Sequence, residues 1–396
     1  MRLSSASLLL AAAALSVAQA PPPSPIAAAL QPYVDSHTLA GAVTLVASRD
    51  RVLGVDTVGW ADIAAKQPMR AEALFWIASM SKPMTAAAFM ILVDEGKVRI
   101  DDPVEKYLPE FKQQWLAVEQ DQEHVLLRRP AHPITIRNIL THTSGMPATS
   151  AMETPTLDLL PLRDAVRSYA MTPLQFAPDS QYRYANSGIN TAGRIIEVVS
   201  GMAYERFLEE RLFAPLGMHD TTFWPSEAQV RRVAKSYAYN EAKQDLEETT
   251  VSQLFYPLTD RKRRYPMPAG GLFSTAADVA RFCRMVLAGG TLDGKRILSE
   301  DAVRQMTSLQ TADLPVNNSD ATGYGFGWSV QRKAAADGRA AGSFGHGGAY
   351  KTLLWIDPPR QLIFILMRQQ AGNLPAAAGG VEPAFVKAAI ARYGRP

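Results

Sequence analysis

Between Thr85 and Val93 the chain reads Thr-Ala-Ala-Ala-Phe-Met-Ile-Leu-Val, without one charged side chain. A helix that is apolar on most faces has no side to give to water, so the rest of the chain has to wrap around it. Pro83 is tolerated only in the first turn of such a helix, and Gly96 supplies a stop. The helix therefore starts close to Ser79, with Ser79-Met80-Ser81-Lys82 at its N-terminal end. Nowhere else in the sequence does a lysine follow a serine by three positions. Residues three apart share a helix face, so the hydroxyl and the amine can meet, at a helix end whose N–H groups favour negative charge. A nucleophile beside its base points to acyl transfer.

Strands are expected at both ends of the chain. Gly41–Ser48 and Arg51–Trp60 are rich in β-branched and apolar residues, and the polar turn Arg49-Asp50 joins them into an antiparallel hairpin. Strand patterns return at 324–330, 352–356 and 362–367, before a last helix over 382–393. Residues 101–267 carry helical patterns, as at 190–199 and 204–208, among many turn residues. This order predicts an α/β fold of the α+β kind. One mainly antiparallel sheet flanked by helices is built from about 31–100 and 268–396, and a mostly helical lobe is inserted over about 101–267.

With 47% hydrophobic and 20% charged residues among 396, the chain can bury a core of enzyme size. Arg2, the apolar run Leu8–Leu15 and Ala18-Gln19-Ala20 form the three parts of an export signal cut after Ala20, which predicts a secreted or periplasmic protein. A Pro-rich linker is expected over 21–30, before the hydrolase-sized domain at 31–396. No later run reaches the roughly 18 consecutive apolar residues of a membrane helix, so no stable membrane insertion is expected. A net charge of +3 gives no reason to expect a nucleic-acid partner. The run Arg261-Lys262-Arg263-Arg264 reads as a solvated loop, and Cys283, the sole cysteine, as core packing with no internal disulfide.

Three further clusters bear on Ser79. Tyr182-Arg183-Tyr184-Ala185-Asn186-Ser187-Gly188 sets a phenol two residues from an amide in a loop-like setting. Gly345-His346-Gly347-Gly348-Ala349 lies between strand patterns, where glycines let a ligand approach the backbone. Leu140-Thr141-His142-Thr143-Ser144-Gly145-Met146 reads as a polar turn after a helix, with His142 structural. Other chemistries lack their marks: no G-x-S-x-G elbow and no H-E-x-x-H is present, and Arg296 breaks the P-loop spacing of 289–295. No metal or cofactor is called for.

Together these residues resemble the serine β-lactamase and penicillin-binding protein fold family, especially its class C and family VIII carboxylesterase branch. Ser79-Met80-Ser81-Lys82 looks like its S-x-x-K element, Tyr184-Ala185-Asn186 like a Y-x-N form of its second element, and His346-Gly347-Gly348 stands in the place of K-T-G. Thr141–Gly145, Pro268–Thr275 and Tyr324-Gly325-Phe326-Gly327-Trp328 also look like family signatures, so the likeness covers nearly all of the chain after the signal. The resemblance implies a β-lactamase/DD-peptidase-like fold. It implies Ser79 as the acylated nucleophile, and Lys82 and Tyr184 as the proton-transfer pair with either one as the base, a Lys82 ammonium pulling the Tyr184 phenol down. Asn186 and His346-Gly347-Gly348 would meet the substrate, and the N–H groups of Ser79 and Ala349 would form the oxyanion hole. A histidine in place of the lysine weakens the hold on a substrate carboxylate, which favours small uncharged esters, with weak β-lactam hydrolysis possible. A β-lactamase or D-Ala-D-Ala carboxypeptidase is the alternative for a small ester or amide substrate, and a penicillin-binding or sensor domain that does not turn over is a further one.

Overall fold

Leu362-Ile363-Phe364-Ile365-Leu366-Met367 has no polar residue on either side, as a strand covered on both faces requires. In the computed structural model, which describes residues 23–154, 156–372 and 375–394, this segment lies inside an eight-stranded sheet. The strands are β1 (Gly41–Ser48), β2 (Val52–Asp62), β3 (Gln67–Pro68), β4 (Thr322–Tyr324), β5 (Ser329–Gln331), β6 (Phe344–Gly347), β7 (Leu353–Asp357) and β8 (Leu362–Met367). Their order is β4-β5-β6-β7-β8-β1-β2-β3, with every neighbour antiparallel. Pairing of β1 with β8, Val43 opposite Met367 through Ser48 opposite Leu362, makes one sheet from the two ends of the chain, as the strand patterns predict.

The helices that matter for the site are α1 (Pro25–Asp35), α2 (Ser81–Asp94), α3 (Ile136–Thr141), α4 (Asn186–Ser200), α5 (Ala276–Leu287) and α6 (Val381–Tyr393). Successive side chains of β8 go to opposite faces. Leu362, Phe364 and Leu366 join Val46 in a core with Ile26 and Leu30 of α1 and Phe385 of α6. Ile363, Ile365 and Met367 join Val43 and Leu45 in the main core, with Phe282 and Cys283 of α5 and Phe89 of α2. Each such side chain contributes about 1.5–3 kcal/mol by leaving water, so a polar residue in β8 would be costly on either face. The α2 helix is buried from Ser81 through Leu92, with α4 packed against it. Pro83 is its third residue, and Gly96, at φ +68°, follows its end.

Several expectations are corrected. The export signal at 1–20 lies outside the described residues. The linker expected over 21–30 gives way at Pro25 to α1, whose first turn is capped by Ser24 accepting from the Ala27 N–H. The stretch 324–330 is not one strand but the tight turn between β4 and β5, because Gly327 at φ +76° reverses the chain. Residues 101–267 hold two β-hairpins as well as helices, Leu116–Gln120 with Val125–Arg128 and Ser236–Asn240 with Asp245–Thr249. Arg264 is buried rather than solvated, donating to the carbonyls of Phe223 and Leu258 near Asp158, while Arg261, Lys262 and Arg263 are exposed. Among the described residues no helix is long and apolar enough to cross a membrane.

Candidate active site

Ser79 lies in a single 3₁₀ turn, Ala78–Met80, immediately ahead of α2. Ala78 is left-handed at φ +45°, a conformation that costs a residue with a Cβ about 1–2 kcal/mol. Its surroundings hold it there: Ile77 N–H donates to Leu272 O (3.0 Å), Ser81 Oγ donates to Ala78 O (2.7 Å), and Leu272 N–H donates to Ser81 Oγ (3.3 Å). The second serine of the motif is thus buried and engaged in locking the turn. Ser79 is left half-buried with its hydroxyl facing the cleft.

Lys82 is fully buried, and its amine meets Ser79 Oγ at 3.0 Å, Asn186 Oδ1 at 2.9 Å and Ala269 O at 2.7 Å. The amide and carbonyl oxygens can only accept, so they take two N–H bonds. The third contact is a hydroxyl, which can donate to the nitrogen lone pair. Burial pushes the Lys82 amine well below its ordinary value, which favours that neutral arrangement. The Ala269 carbonyl is itself fixed, since its own N–H donates to Asn190 Oδ1 (3.0 Å), one helical turn beyond Asn186. On the other side Gly327 lies so close to the backbone of Lys82 that a Cβ there would sit 2.9 Å from Lys82 O.

Tyr184 and Asn186 do not share a loop. Ala185 is extended, and Asn186 is the first residue of α4, so the amide projects from a helix end and the phenol from the irregular segment before it. The Tyr184 ring centre is 4.7 Å from Lys82 Nζ. Burial pushes the phenol above its ordinary value, opposed in part by the nearby Ser79 hydroxyl. The downward pull expected from a Lys82 ammonium does not prevail: desolvation dominates, and the phenol is shifted up.

Gly348 brings the end of β6 against the Ser79 turn. Its N–H donates to Thr352 O (2.8 Å), Thr352 Oγ1 donates to Ile77 O (3.3 Å), and a Cβ on Gly348 would collide with Thr352 Oγ1 and stand 2.5 Å from Ile77 O. Ala349, exposed, follows directly. Among the described residues neither the Ser79 nor the Ala349 N–H has an internal partner. Gly348→Ala is expected to push the two N–H groups apart and lower kcat by about 10²–10³, the loss typical of one oxyanion donor. Gly347→Ala, where the nearest atom would be 3.6 Å away, should change kcat less than about threefold. Equal losses in steady-state kinetics would contradict this assignment.

His346 departs from expectation. It is buried, its Nδ1 meets Gly347 O at 2.7 Å and its Nε2 meets Tyr324 Oη at 2.9 Å, so both nitrogens are engaged inside the protein and neither is free for a substrate. Burial pushes its pKa down to about 3. Ser79, Lys82, Tyr184 and Asn186 thus converge, with the backbone of Gly347, Gly348 and Ala349 along one edge. Sequence reasoning missed the roles of Tyr324, Asn190 and Ala269, although all three lie inside segments already named.

The beta-lactamase family model matches residues 26–383. The chain belongs to the beta-lactamase family. Members of this family are serine acyl hydrolases. It is 29% identical to esterase EstB of Burkholderia gladioli over 367 residues, covering 84% of this chain and 86% of that protein. To penicillin-binding protein 4* of Bacillus subtilis it is 27% identical over 358 residues, covering 85% of this chain and 70% of that protein. The solved structure of EstCE1, described as a hydrolase with promiscuous acyltransferase activity, superposes with a TM-score of 0.78 at 25% identity, covering 92% of this chain and 97% of that one. In this beta-lactamase family member, an uncharged imidazole stands where the resemblance places the lysine of K-T-G.

Proposed function

We propose that the protein is an exported carboxylesterase acting on small, uncharged acyl esters through an acyl-enzyme at Ser79. In this reading Ser79 Oγ attacks the ester carbonyl and Lys82 takes its proton. The resulting oxyanion lies between the N–H groups of Ser79 and Ala349, each worth about 3 kcal/mol. Collapse breaks the bond to the alkoxide, which takes a proton from the Tyr184 phenol, and the Lys82 ammonium returns that proton to Tyr184. Water then attacks the acyl-enzyme with the same groups reversing their roles, releasing the acid and restoring Ser79. Asn186 holds Lys82 in line.

The observation that carries the choice of ester is His346. Buried, neutral and hydrogen-bonded at both nitrogens, it brings no positive charge to the place where a penicillin or peptide carboxylate would need one. Similarity to EstB supports the same choice, whereas similarity to penicillin-binding protein 4* favours a second reading, a β-lactamase or D-Ala-D-Ala carboxypeptidase. The purified protein compared on p-nitrophenyl butyrate, nitrocefin and a D-Ala-D-Ala peptide decides between them. Ester kcat/KM at least tenfold above the others supports the proposal, and a reversed order overturns it. An adduct that never turns over would instead make the protein a binding or sensor domain. Export rests on residues 1–20 and predicts a mature N-terminus at Pro21, checked by N-terminal sequencing of the exported protein.

The pH dependence follows from the direction of the shifts. Lys82 works as a base only when neutral, so kcat/KM is expected to rise with pH along one acid limb. Because burial lowers that group from 10.5, the plateau should be reached well before pH 10.5. Tyr184 works as an acid only when protonated. Its upward shift from 10.0 keeps the plateau flat past the ordinary phenol range. A profile that falls between pH 8 and 10 on a protein still folded by circular dichroism would contradict these assignments.

A further inference from the structure

The buried polar groups behind the cleft can be given their protons one by one. His346 Nδ1 faces a carbonyl, Gly347 O, which can only accept, so the proton is on Nδ1 and Nε2 is an acceptor. Tyr324 Oη must then donate to that Nε2. His142 Nδ1 faces the Ala185 N–H at 3.3 Å, which can only donate, so the proton of His142 is on Nε2 and points to Tyr324 Oη at 3.2 Å. The result is one directed chain, Ala185 N–H to His142, His142 to Tyr324, Tyr324 to His346, and His346 to Gly347 O. Every member is satisfied, and neither imidazole carries a charge.

The two ends of this chain reach different parts of the site. His142, in the left-handed residue that closes α3 (φ +61°), grips the backbone on both sides of Tyr184. Its carbonyl accepts from the Arg183 N–H (2.9 Å), its Nδ1 accepts from the Ala185 N–H, and its ring packs 4.6 Å from the Tyr184 ring. His346 sits on β6, three residues before Ala349. Tyr324, at the end of β4 and 1% exposed, is the link between them, its hydroxyl meeting both imidazoles.

Resting on the acyl-enzyme reading, we propose that His142, Tyr324 and His346 are positioning residues: a hydrogen-bonded strut that holds the Tyr184 phenol at a fixed distance from the Ala349 N–H. The phenol serves the leaving group and the N–H serves the oxyanion, so both have to be in place in one transition state. Without its hydroxyl, Tyr324 would leave the His142 N–H without an acceptor and the His346 Nε2 without a donor, both buried. One imidazole would turn or shift, and the separation across the cleft would no longer be fixed.

Two measurements test this. In Tyr324→Phe, kcat is expected to fall about 10- to 100-fold with KM within about twofold, the signature of misplaced catalytic groups rather than a lost substrate contact. An unchanged kcat, or a KM rise at constant kcat, would overturn the strut. In the wild-type protein labelled with ¹⁵N-histidine, long-range ¹H–¹⁵N spectra at pH 6 to 8 should show His142 as the neutral Nε2–H tautomer and His346 as the neutral Nδ1–H tautomer. Either ring in the opposite tautomer, or protonated at pH 6, would also overturn it. The spectra need no substrate and no variant, so they test the strut even if Tyr324→Phe does not fold. They also keep its failure distinct from failure of the esterase reading.

Discussion

Ser79→Ala is expected to lower kcat/KM for p-nitrophenyl butyrate by on the order of 10⁴-fold or more, with Tm changed by less than about 2 °C. The hydroxyl removed is half-buried and faces the cleft, so little packing is lost with it. Rescue by the neighbouring serine is excluded by geometry. Ser81 is buried and already donates to Ala78 O while accepting from Leu272 N–H, so turning it toward the cleft would undo the turn that presents residue 79. Steady-state kinetics and a thermal melt on the same preparation check both halves. Turnover within a hundredfold of wild type would remove Ser79 from the mechanism.

Lys82→Met should separate activity from stability most sharply. Methionine has about the length of lysine and no charge to desolvate, so the apolar surroundings of α2 can accept it. The change leaves Ala269 O and Asn186 Oδ1 without the amine, at about 1–3 kcal/mol for a buried acceptor, but it also removes the cost of burying an amine. Asn186 is only half-buried, and water can replace its lost partner. Unfolding free energy is therefore expected to stay within about 2 kcal/mol of wild type by urea titration, because two effects of opposite sign and similar size offset each other. Loss of the base should lower kcat by about 10³- to 10⁴-fold. A stable variant that keeps a tenth of wild-type kcat would show that another group deprotonates Ser79.

What the sequence made legible was what short spacings encode. The α2 helix is visible because nothing in Thr85–Val93 tolerates water, and β1, β2 and β8 because they are short runs of β-branched and apolar residues. Ser79 and Lys82 could be paired because one helical turn brings them together. Failures arose where a local cue was outweighed by another or where a contact joined distant segments. Ser24-Pro25 is a sound helix start, but it sits in a run of prolines that reads as a linker. Arg264 looks like its three exposed neighbours and is drawn inside by carbonyls at 223 and 258, which no spacing reveals. His346 was legible as part of the site. That its nitrogens are taken by Tyr324 and Gly347 depends on β4 and β6 flanking β5 in the same sheet.

The acyl-enzyme is the point on which the whole account turns. The protein is mixed with p-nitrophenyl butyrate, quenched in acid during the first turnovers, digested and mapped by mass spectrometry. The account predicts one butyryl group per chain, on the peptide that contains Ser79, absent from Ser79→Ala and accumulating in a variant whose deacylation is slowed at Tyr184. A butyryl group on any other residue, or ester turnover that survives in Ser79→Ala with no adduct at all, would contradict it.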